Sequence, residues 1–535
     1  MFRPTCHSTV IEYAMSSLRV KESTCVERER SARTNPIGLE DEEQPDQDRQ
    51  EQQDDGEDDT TQAHALLGRC RLAERAFFGV VWFLHRWLTL AAPGLPRPTT
   101  VAAVTSHLVP RPWVPDASET LVQQIAAATA ASDISALDAR IQSLLSENRH
   151  IHETQCLNLN PATNVMNPKA EAALSAGLGS RPSLGYPGEK YEMGLEAIEQ
   201  IEVIAAELAA EVFNASYAEI RVPSGALANL YAFMALANAG DSIIAPPPSI
   251  GGHVTHHDAG VAGLYGLKIH EAPIDAANYT IDVDALAALA KEVQPKVITV
   301  GASLNLTHHP VAAIREVADS VGAKVLFDAA HLSGTIAGGA WPNPLDEGAH
   351  LVSMSAYKSL AGPASGLIVT NDAEIAESLD AIAYPGLTAN FDAAKTASLA
   401  ITLLDWKAHG RDYATEMVKS ASTLADALSA RGLDVYSGTT QSQAFAIDAS
   451  PWGGGHAAAL RLRDANLLTC AIGLPTSLDA GLRIGTNEIV RWGMTTETMA
   501  ELADAISAGL HDPLSAIDHV ANLRARFQTL HFINE

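Results

Sequence analysis

The sequence predicts an α/β fold, with a large domain built on a mostly parallel sheet and a smaller α+β domain at the C-terminal end. Helix and strand patterns alternate after residue 195. The strand segments are short, apolar and rich in β-branched residues, which is typical of strands buried on both faces. The segments between them are amphipathic helices, as parallel neighbouring strands require. At roughly 100–200 residues per domain, the 535 residues would suggest two to four domains.

The first part of the chain has a different composition. Residues 40–59 contain twelve acidic side chains and one basic side chain, and such a run cannot bury enough apolar surface to offset its ordering entropy. The apolar stretch at 77–92 is short and contains His85 and Arg86, so we expect an interfacial helix rather than a membrane span. We therefore predict that residues 1–112 form a disordered or non-core extension.

The remaining chain divides into three predicted parts. Residues 113–194 form an N-terminal helical segment and arm, because the Ala- and Leu-rich run at 118–149 has helical spacing. Residues 195–390 form the large domain, and residues 391–535 form the small one. The predicted large-domain strands lie in four apolar segments: KVITVGAS (296–303), KVLFDAAH (324–331), LVSMSAY (351–357) and GLIVTN (366–371). The last predicted helix is ETMAELADAISAGL (497–510).

Charge and cysteine content exclude several classes of protein. The formal net charge of −28 makes the chain a poor partner for nucleic acid or anionic lipid. The five cysteines form no CxxC pair and no cluster with histidine. We therefore predict free thiols in a reducing, cytoplasmic compartment, with no disulfide framework and no metal site.

Polar residues follow three of the predicted strands, where ligands bind in parallel α/β sheets. They are Ser303, Asp328 with the nearby His331, and Lys358. A lysine at this place is a candidate Schiff-base amine, and an aspartate in the same sheet could hold the pyridine nitrogen of pyridoxal phosphate. Alone, such a lysine is more often a surface residue and such an aspartate a helix cap. Together, they favour a pyridoxal phosphate site.

Two further segments could complete that site. Ser224, Gly225 and Ala226 begin a predicted helix, where backbone N–H groups suit a phosphate dianion. An ordinary serine N-cap is the equal alternative at this position. His253, on a glycine-rich turn, could stack on an aromatic ring, although by itself a surface histidine is the simpler interpretation.

Seven motifs resemble, in order, those of the serine hydroxymethyltransferase branch of the fold-type I pyridoxal phosphate enzymes, and the similarity runs from about residue 157 to 530. They are GYPGEKY (185–191), PSGALAN (223–229), GDSIIAPPPSIGGHVTH (240–256), LFDAAHLSG (326–334), YKSLAGPASGLIV (357–369), YPGLTAN (384–390) and GLRIGTNEIVRWGM (481–494). The resemblance implies a large domain with a seven-stranded type of sheet, a pyridoxal phosphate cofactor and an assembly that is a homodimer or a homotetramer.

The resemblance also assigns roles to individual residues. Lys358 would form the Schiff base and Asp328 would pair with the pyridine nitrogen. His253 would stack on the ring, while Ser303 and His331 would lie near its 3′ oxygen. Ser224, Gly225 and Ala226 would hold the phosphate. Arg483 would bind the substrate α-carboxylate as a bidentate pair. Tyr186 and Tyr191 would either reach the substrate site of a neighbouring subunit or pack the interface.

Departures from the family pattern concentrate in its folate-binding machinery. Leu184 stands where the family has a glutamate that transfers protons in the folate-dependent step. A leucine side chain can neither accept nor donate a proton. Pro182 replaces a family tyrosine, the segment 162–164 replaces Ser-Glu-Asn, and Tyr357 replaces a histidine. The resemblance thus implies retained cofactor chemistry with weakened or absent dependence on tetrahydrofolate.

The retained residues predict a retro-aldol enzyme that makes or breaks the Cα–Cβ bond of serine- or threonine-type β-hydroxy-α-amino acids. His331, Tyr357 or a bound water are the candidate bases. One alternative is a tetrahydrofolate-dependent serine–glycine hydroxymethyltransferase. Another is a regulator that binds pyridoxal phosphate without turnover, against which the intact Lys358, Asp328 and Arg483 argue.

Overall fold

The computed structural model of the chain describes residues 106–181 and 183–535. The predicted extension, apart from its last seven residues, therefore lies outside the described residues. The same holds for the predicted interfacial helix at 77–92 and for Pro182. Among the described helices, none is both long and apolar enough to cross a bilayer.

The N-terminal segment is helical, as its spacing predicts, and then becomes an irregular arm. The side chain of Asp133 caps the second helix by accepting a hydrogen bond from the Ala136 N–H at 2.8 Å. The elements of this segment are α1 (Asp116–Ala131), α2 (Ile134–His150), β1 (Leu157–Asn158), α3 (Pro168–Ala173), β2 (Gly185–Tyr186) and β3 (Glu189–Lys190). Strands β2 and β3 form a short antiparallel hairpin.

A seven-stranded sheet organises the next part of the chain. Its elements are α4 (Glu196–Phe213), β4 (Tyr217–Val222), α5 (Gly225–Leu236), β5 (Ser242–Ala245), α6 (Val261–Tyr265), β6 (Lys268–Glu271), β7 (Ile274–Asp275), β8 (Thr280–Ile281), α7 (Val283–Val293), β9 (Val297–Val300), α8 (Val311–Val321), β10 (Lys324–Asp328), α9 (Ser333–Ala337), β11 (Leu351–Ser355), β12 (Gly366–Thr370) and α10 (Ala373–Ala381). The strand order is β4-β12-β11-β10-β9-β5-β6. Strand β12 runs antiparallel to both of its neighbours, β4 and β11, and the other neighbouring pairs are parallel. The mostly parallel sheet is therefore confirmed.

Both faces of the sheet are buried. Successive side chains of a strand point to opposite faces, and in β10 Val325 and Phe327 join one apolar cluster while Leu326 joins another. This burial explains why the strand segments are continuously apolar rather than alternating, and it positions the strand ends for a site at one edge.

The C-terminal part begins with a long helix and contains a second, smaller sheet. Its elements are α11 (Ala393–Ser429), β13 (Ala444–Asp448), α12 (Gly455–Asp464), β14 (Leu467–Leu468), β15 (Cys470–Leu474), β16 (Ser477–Gly485), α13 (Asn487–Arg491), α14 (Met499–His511) and α15 (Pro513–Ala525). Strands β13, β16 and β15 form an antiparallel sheet in that order. The sequence pattern missed α15, in which Pro513 occupies the first turn, where a missing N–H is tolerated.

A long helix and a strand pairing help to join this part to the preceding described residues. Helix α11 contributes Leu403 and Met417 to the core of the large sheet, and Leu424 and Leu428 to the core of the small one. Strand β1 pairs in parallel with β14. The predicted division at residues 390 and 391 remains a prediction.

Candidate active site

Three neighbouring parallel strands end at one edge of the large sheet, at Val300 in β9, Asp328 in β10 and Ser355 in β11. Ser303, His331 and Lys358 each follow three residues beyond these ends. The predicted strand up to Tyr357 was therefore too long, since β11 stops at Ser355 and Lys358 lies in the following turn. The turn frees the lysine side chain from the alternation of the strand and lets it reach into the site.

The amine of Lys358 is buried, with 6% of the residue exposed. Burial lowers the pKa of Lys358 to about 8, although the nearby carboxylate of Asp328 opposes this shift. The amine lies 3.1 Å from Nε2 of His331. A lysine with a lowered pKa supplies the free amine that attacks an aldehyde.

His331 lies between two positively charged side chains. Its Nε2 is 3.1 Å from Nζ of Lys358 and 3.4 Å from Nη1 of Arg483. Burial and these two cations hold the pKa of His331 well below its usual range, so the imidazole is neutral. Because a guanidinium can only donate, Nε2 is the acceptor and the ring proton resides on Nδ1.

Asp328 is held by three groups. Its Oδ2 accepts hydrogen bonds from Nε2 of His256 at 2.8 Å and from Nδ2 of Asn229 at 2.9 Å, and its Oδ1 accepts one from the Ala330 N–H at 2.9 Å. Burial alone would raise the pKa of Asp328, but His256, His253 and the Ala330 N–H together outweigh burial and hold the pKa well below its usual range. A permanent carboxylate is what a protonated pyridine nitrogen needs.

The predicted phosphate site begins α5. Ser224 caps this helix by accepting a hydrogen bond from the Leu227 N–H at 3.2 Å, as the alternative interpretation predicted. A Cβ atom on Gly225 would lie 2.0 Å from Oγ of Ser355, so only glycine lets the helix start lie against the end of β11. Ala226 follows in the first turn and is exposed. The cap does not occupy the N–H groups of Gly225 and Ala226, which stay available for an anion.

His253 is half-buried and is linked through Thr255 to Asn229 of α5. Its Nδ1 accepts a hydrogen bond from Oγ1 of Thr255 at 2.8 Å, and the same oxygen accepts one from Asn229 at 2.9 Å. Burial lowers the pKa of His253 to about 4, so the ring is neutral near pH 7. A neutral imidazole could stack on the cofactor ring without adding charge.

Arg483 lies on β16 of the small sheet with only 7% of the residue exposed. Its guanidinium donates to the backbone oxygen of Ser303 and to Sγ of Cys470, and it contacts His331. None of these partners is a carboxylate, and Arg483 forms no ion pair among residues 106–181 and 183–535. A buried cation without a counter-ion is costly, which favours a ligand that brings an anion.

The tyrosines occupy different positions. The ring of Tyr357 lies near the amine of Lys358, with its centroid 5.9 Å from Nζ. Tyr186 instead donates a hydrogen bond to Asp380 at 2.7 Å, and Tyr191 is 78% exposed. Within one chain, the described contacts do not bring Tyr186 or Tyr191 to Lys358, so their role at a partner's site remains a prediction.

Sequence reasoning overlooked several residues of this site. Asn229 and His256, which hold Asp328, both lie inside motifs that carried the resemblance, so their positions in those motifs were a usable signal. Asn229 also accepts a hydrogen bond from Ser353 at 2.6 Å. Cys470 was interpreted only as a free thiol, and nothing in its local sequence indicates that it lies opposite Arg483 in the small sheet.

These residues fit pyridoxal phosphate. The buried amine, the anchored carboxylate and the glycine that admits a helix start match the aldehyde, the ring nitrogen and the phosphate of that cofactor. They meet at the carboxyl edge of a mostly parallel sheet, the arrangement of fold-type I enzymes.

Comparison with known proteins gives the same class. The family described as Serine hydroxymethyltransferase matches residues 134–506. The chain is 61% identical over 431 residues to an alpha-methylserine aldolase of Variovorax paradoxus, covering 79% of this chain and 98% of that protein. An alpha-methylserine aldolase of Ralstonia sp is 54% identical over 433 residues, covering 79% and 99%. A serine hydroxymethyltransferase of Methanopyrus kandleri is 36% identical over 398 residues, covering 72% and 93%.

The chain therefore belongs to the serine hydroxymethyltransferase family, whose members depend on pyridoxal phosphate. It is an enzyme of the aldolase type that acts on the Cα–Cβ bond of β-hydroxy-α-amino acids. The fold and the activity predicted from the sequence are confirmed, and the non-catalytic regulator is not favoured.

Proposed function

We propose that this enzyme is an aldolase for α-methylserine that works without tetrahydrofolate. Cleavage of the Cα–Cβ bond would release formaldehyde from Cβ and leave alanine. The observation that carries the proposal is a mixed site. The residues for pyridoxal phosphate and a carboxylate are present, while Leu184 replaces the glutamate of the folate-dependent step. The 61% identity to the aldolase of Variovorax paradoxus supports the choice of substrate.

Three groups would hold the cofactor. Lys358 would hold its aldehyde carbon covalently, Asp328 its ring nitrogen, and the start of α5 its phosphate. When bound, pyridoxal phosphate supplies an electron-withdrawing ring that stabilises the negative charge left on Cα when the bond to Cβ breaks. The anchored negative charge of Asp328 supports that property because it keeps the ring nitrogen protonated.

Arg483 would bind the α-carboxylate and so orient the substrate above the edge of the sheet. Its burial, without a carboxylate partner among the described residues, supports this role. A bidentate pair would fix both the position and the rotation of the carboxylate. That rotation selects which bond to Cα is aligned for cleavage.

His331 is the base that the geometry favours over Tyr357 and water. It is neutral, and its acceptor nitrogen points to the space between Lys358 and Arg483. The imidazole would remove the proton of the β-hydroxyl group, so that the oxygen can form the C=O bond of formaldehyde as the Cα–Cβ bond breaks. The proton would then pass from the imidazole to the Lys358 amine, 3.1 Å away, and from that amine to Cα, which completes alanine.

A direct assay tests the substrate and the folate dependence together. Purified enzyme is incubated with α-methylserine, serine, threonine and allo-threonine, with and without tetrahydrofolate, while formaldehyde and the amino acid products are quantified. We expect formaldehyde and alanine from α-methylserine without folate. A strict requirement for tetrahydrofolate would refute the proposal and restore the hydroxymethyltransferase alternative.

We also propose that the enzyme is a cytoplasmic homodimer. Apolar side chains on the two N-terminal helices support an assembly, since Ile125, Ile134, Ile141 and Leu145 are each more than half exposed. Cys156 and Cys470 are free thiols, in keeping with a reducing compartment. Light scattering of the purified enzyme tests the assembly, and a monomeric mass would contradict it.

A further inference from the structure

Cys470 and Arg483 lie directly opposite each other in the antiparallel pair of β15 and β16. Residues opposite each other in such a pair have side chains within contact distance. Sγ of Cys470 is 3.3 Å from Nε of Arg483 and 3.2 Å from Nη2. One sulfur atom therefore accepts two hydrogen bonds from the same guanidinium.

The two hydrogen bonds to Cys470 occupy one edge of the Arg483 guanidinium. The group is planar, with five N–H bonds in a fixed fork. Nε and one N–H of Nη2 form its side edge, and this edge faces Cys470. Nη1 donates to the backbone oxygen of Ser303. The end edge has one N–H from each of Nη1 and Nη2, and Nε2 of His331 lies 3.4 Å from Nη1. This edge is the one that a carboxylate could take.

The thiol is itself oriented by the N-terminal arm. Its S–H group donates to Oδ1 of Asn160 at 3.1 Å, which also accepts from the Ala162 N–H at 3.0 Å. With the proton directed to Asn160, the lone pairs of the sulfur face the guanidinium. The pairing of β1 with β14 brings the arm to this position.

The Cys470 thiol carries no formal charge, and this matters for the binding of a substrate carboxylate by Arg483. A carboxylate at position 470 would pair with Arg483 and compete with a substrate carboxylate in a buried site. A thiol fixes the guanidinium and leaves its positive charge uncompensated.

We propose that Cys470 is a positioning residue for substrate binding, which fixes the side edge of Arg483 through its uncharged sulfur and presents the end edge to the substrate α-carboxylate. This inference rests on the proposed function, in which Arg483 binds that carboxylate.

The test uses the full-length enzyme loaded with pyridoxal phosphate and three variants, Cys470→Ser, Cys470→Ala and Cys470→Asp. Glycine and methylamine, which is glycine without its carboxylate, are titrated by the change in cofactor absorbance. KM and kcat are measured with α-methylserine. Cys156→Ala is the matched control because Cys156 is a buried free thiol whose described side-chain hydrogen bond is a long one, 4.0 Å, to Asn466.

We expect Cys470→Ala to raise the Kd for glycine and the KM about 10-fold, the effect of lost hydrogen bonds to a charged group. kcat should stay within about 3-fold, because the groups that move protons are unchanged. Cys470→Ser should restore the Kd to within about 3-fold, since a hydroxyl donates and accepts the same bonds. Cys470→Asp should raise the Kd about 100-fold by pairing with Arg483. The affinity for methylamine should not change in any variant.

Several outcomes would overturn the inference: an unchanged Kd for glycine in Cys470→Ala, an equal loss of methylamine affinity, or a loss in kcat alone. Thermal unfolding of each variant checks its fold, and the near-isosteric serine variant decides the matter if the alanine variant does not fold. Arg483→Lys separates the two proposals. If it leaves glycine affinity unchanged, the role of Arg483 is wrong as well. If it weakens glycine binding while Cys470→Ala does not, only the role of Cys470 is wrong.

Discussion

The two ends of the active site differ in how the protein treats its buried charge. At the Asp328 end, the carboxylate is held by His256, Asn229 and a backbone N–H, so the protein itself satisfies the charge. At the Arg483 end, the cation contacts a thiol, a backbone oxygen and a neutral imidazole. The first end keeps its charge through the protein's own groups. The second end has no anionic partner among the described residues, and the proposed substrate carboxylate would complete it.

The largest expected effect concerns the Asp328 end. Asp328→Asn keeps the shape of the side chain but removes its charge, so the ring nitrogen of the cofactor would lose its proton. We expect kcat for α-methylserine to fall by roughly 10³-fold, within the range for losing a key electrostatic group. Asp319→Asn is the control because Asp319 is exposed. A fall of less than about 10-fold would mean that the charge at this end is not essential.

Lys358 lies between the two ends and links the site to stability. Its pKa is about 8 in the folded protein, below the ordinary 10.5. Between these values the unfolded chain binds a proton that the folded protein does not, so stability rises with pH. Below pH 8, both states are protonated and burial destabilises the folded protein by up to about 3 kcal/mol.

Replacing this lysine should therefore stabilise the protein. At pH 7, we expect Lys358→Met to raise the free energy of unfolding of the cofactor-free protein by about 1–3 kcal/mol. The gain should shrink towards pH 10.5, and urea unfolding at both pH values measures it. Lys407→Met, at an exposed lysine, should change little. An equal gain at both pH values would exclude the burial of charge as its cause.

The Arg483 end should respond more moderately. Arg483→Lys retains a positive charge but loses the planar pair of donors. We expect KM for α-methylserine to rise by about 10- to 100-fold, the value of one or two charge-assisted hydrogen bonds. Arg461→Lys, at a partly buried arginine that donates to the backbone oxygens of Leu510 and His511, is the matched control. Unchanged KM would show that this end is not completed by the substrate carboxylate.

The smallest effect is expected at the helix start that would hold the phosphate. In Gly225→Ala, the new methyl group would meet Oγ of Ser355 at 2.0 Å. We expect about 10-fold weaker binding of pyridoxal phosphate, as measured by fluorescence quenching, because overpacking costs 1–3 kcal/mol. Ser355→Ala removes the colliding oxygen, so the double variant should recover part of the affinity. No recovery would assign the loss to the backbone of α5 instead.

Much of the fold could be predicted because it depends on local pattern. The continuous apolar runs of β9, β10 and β11 result from burial on both faces, and the helices between them have one apolar side. The antiparallel direction of β12 and the existence of α15 were not predicted, since strand direction depends on which neighbour a segment finds. The candidate site shows the same division. Lys358 and Asp328 have clear positions after apolar strands, whereas Cys470 has no local signature.

The sequence by itself determined the class of enzyme, because the order of motifs and the residues at the strand ends are properties of the chain. It also predicts, through Leu184, a weakened or absent dependence on tetrahydrofolate, which the proposed assay tests. Only the tertiary structure decided which side chains contact each charged group. His256 meets Asp328 across 72 residues, and Arg483 meets Ser303 across 180. Hydrogen bonds and pKa shifts depend on distance and burial in three dimensions, and the spacing of residues along the chain determines neither quantity.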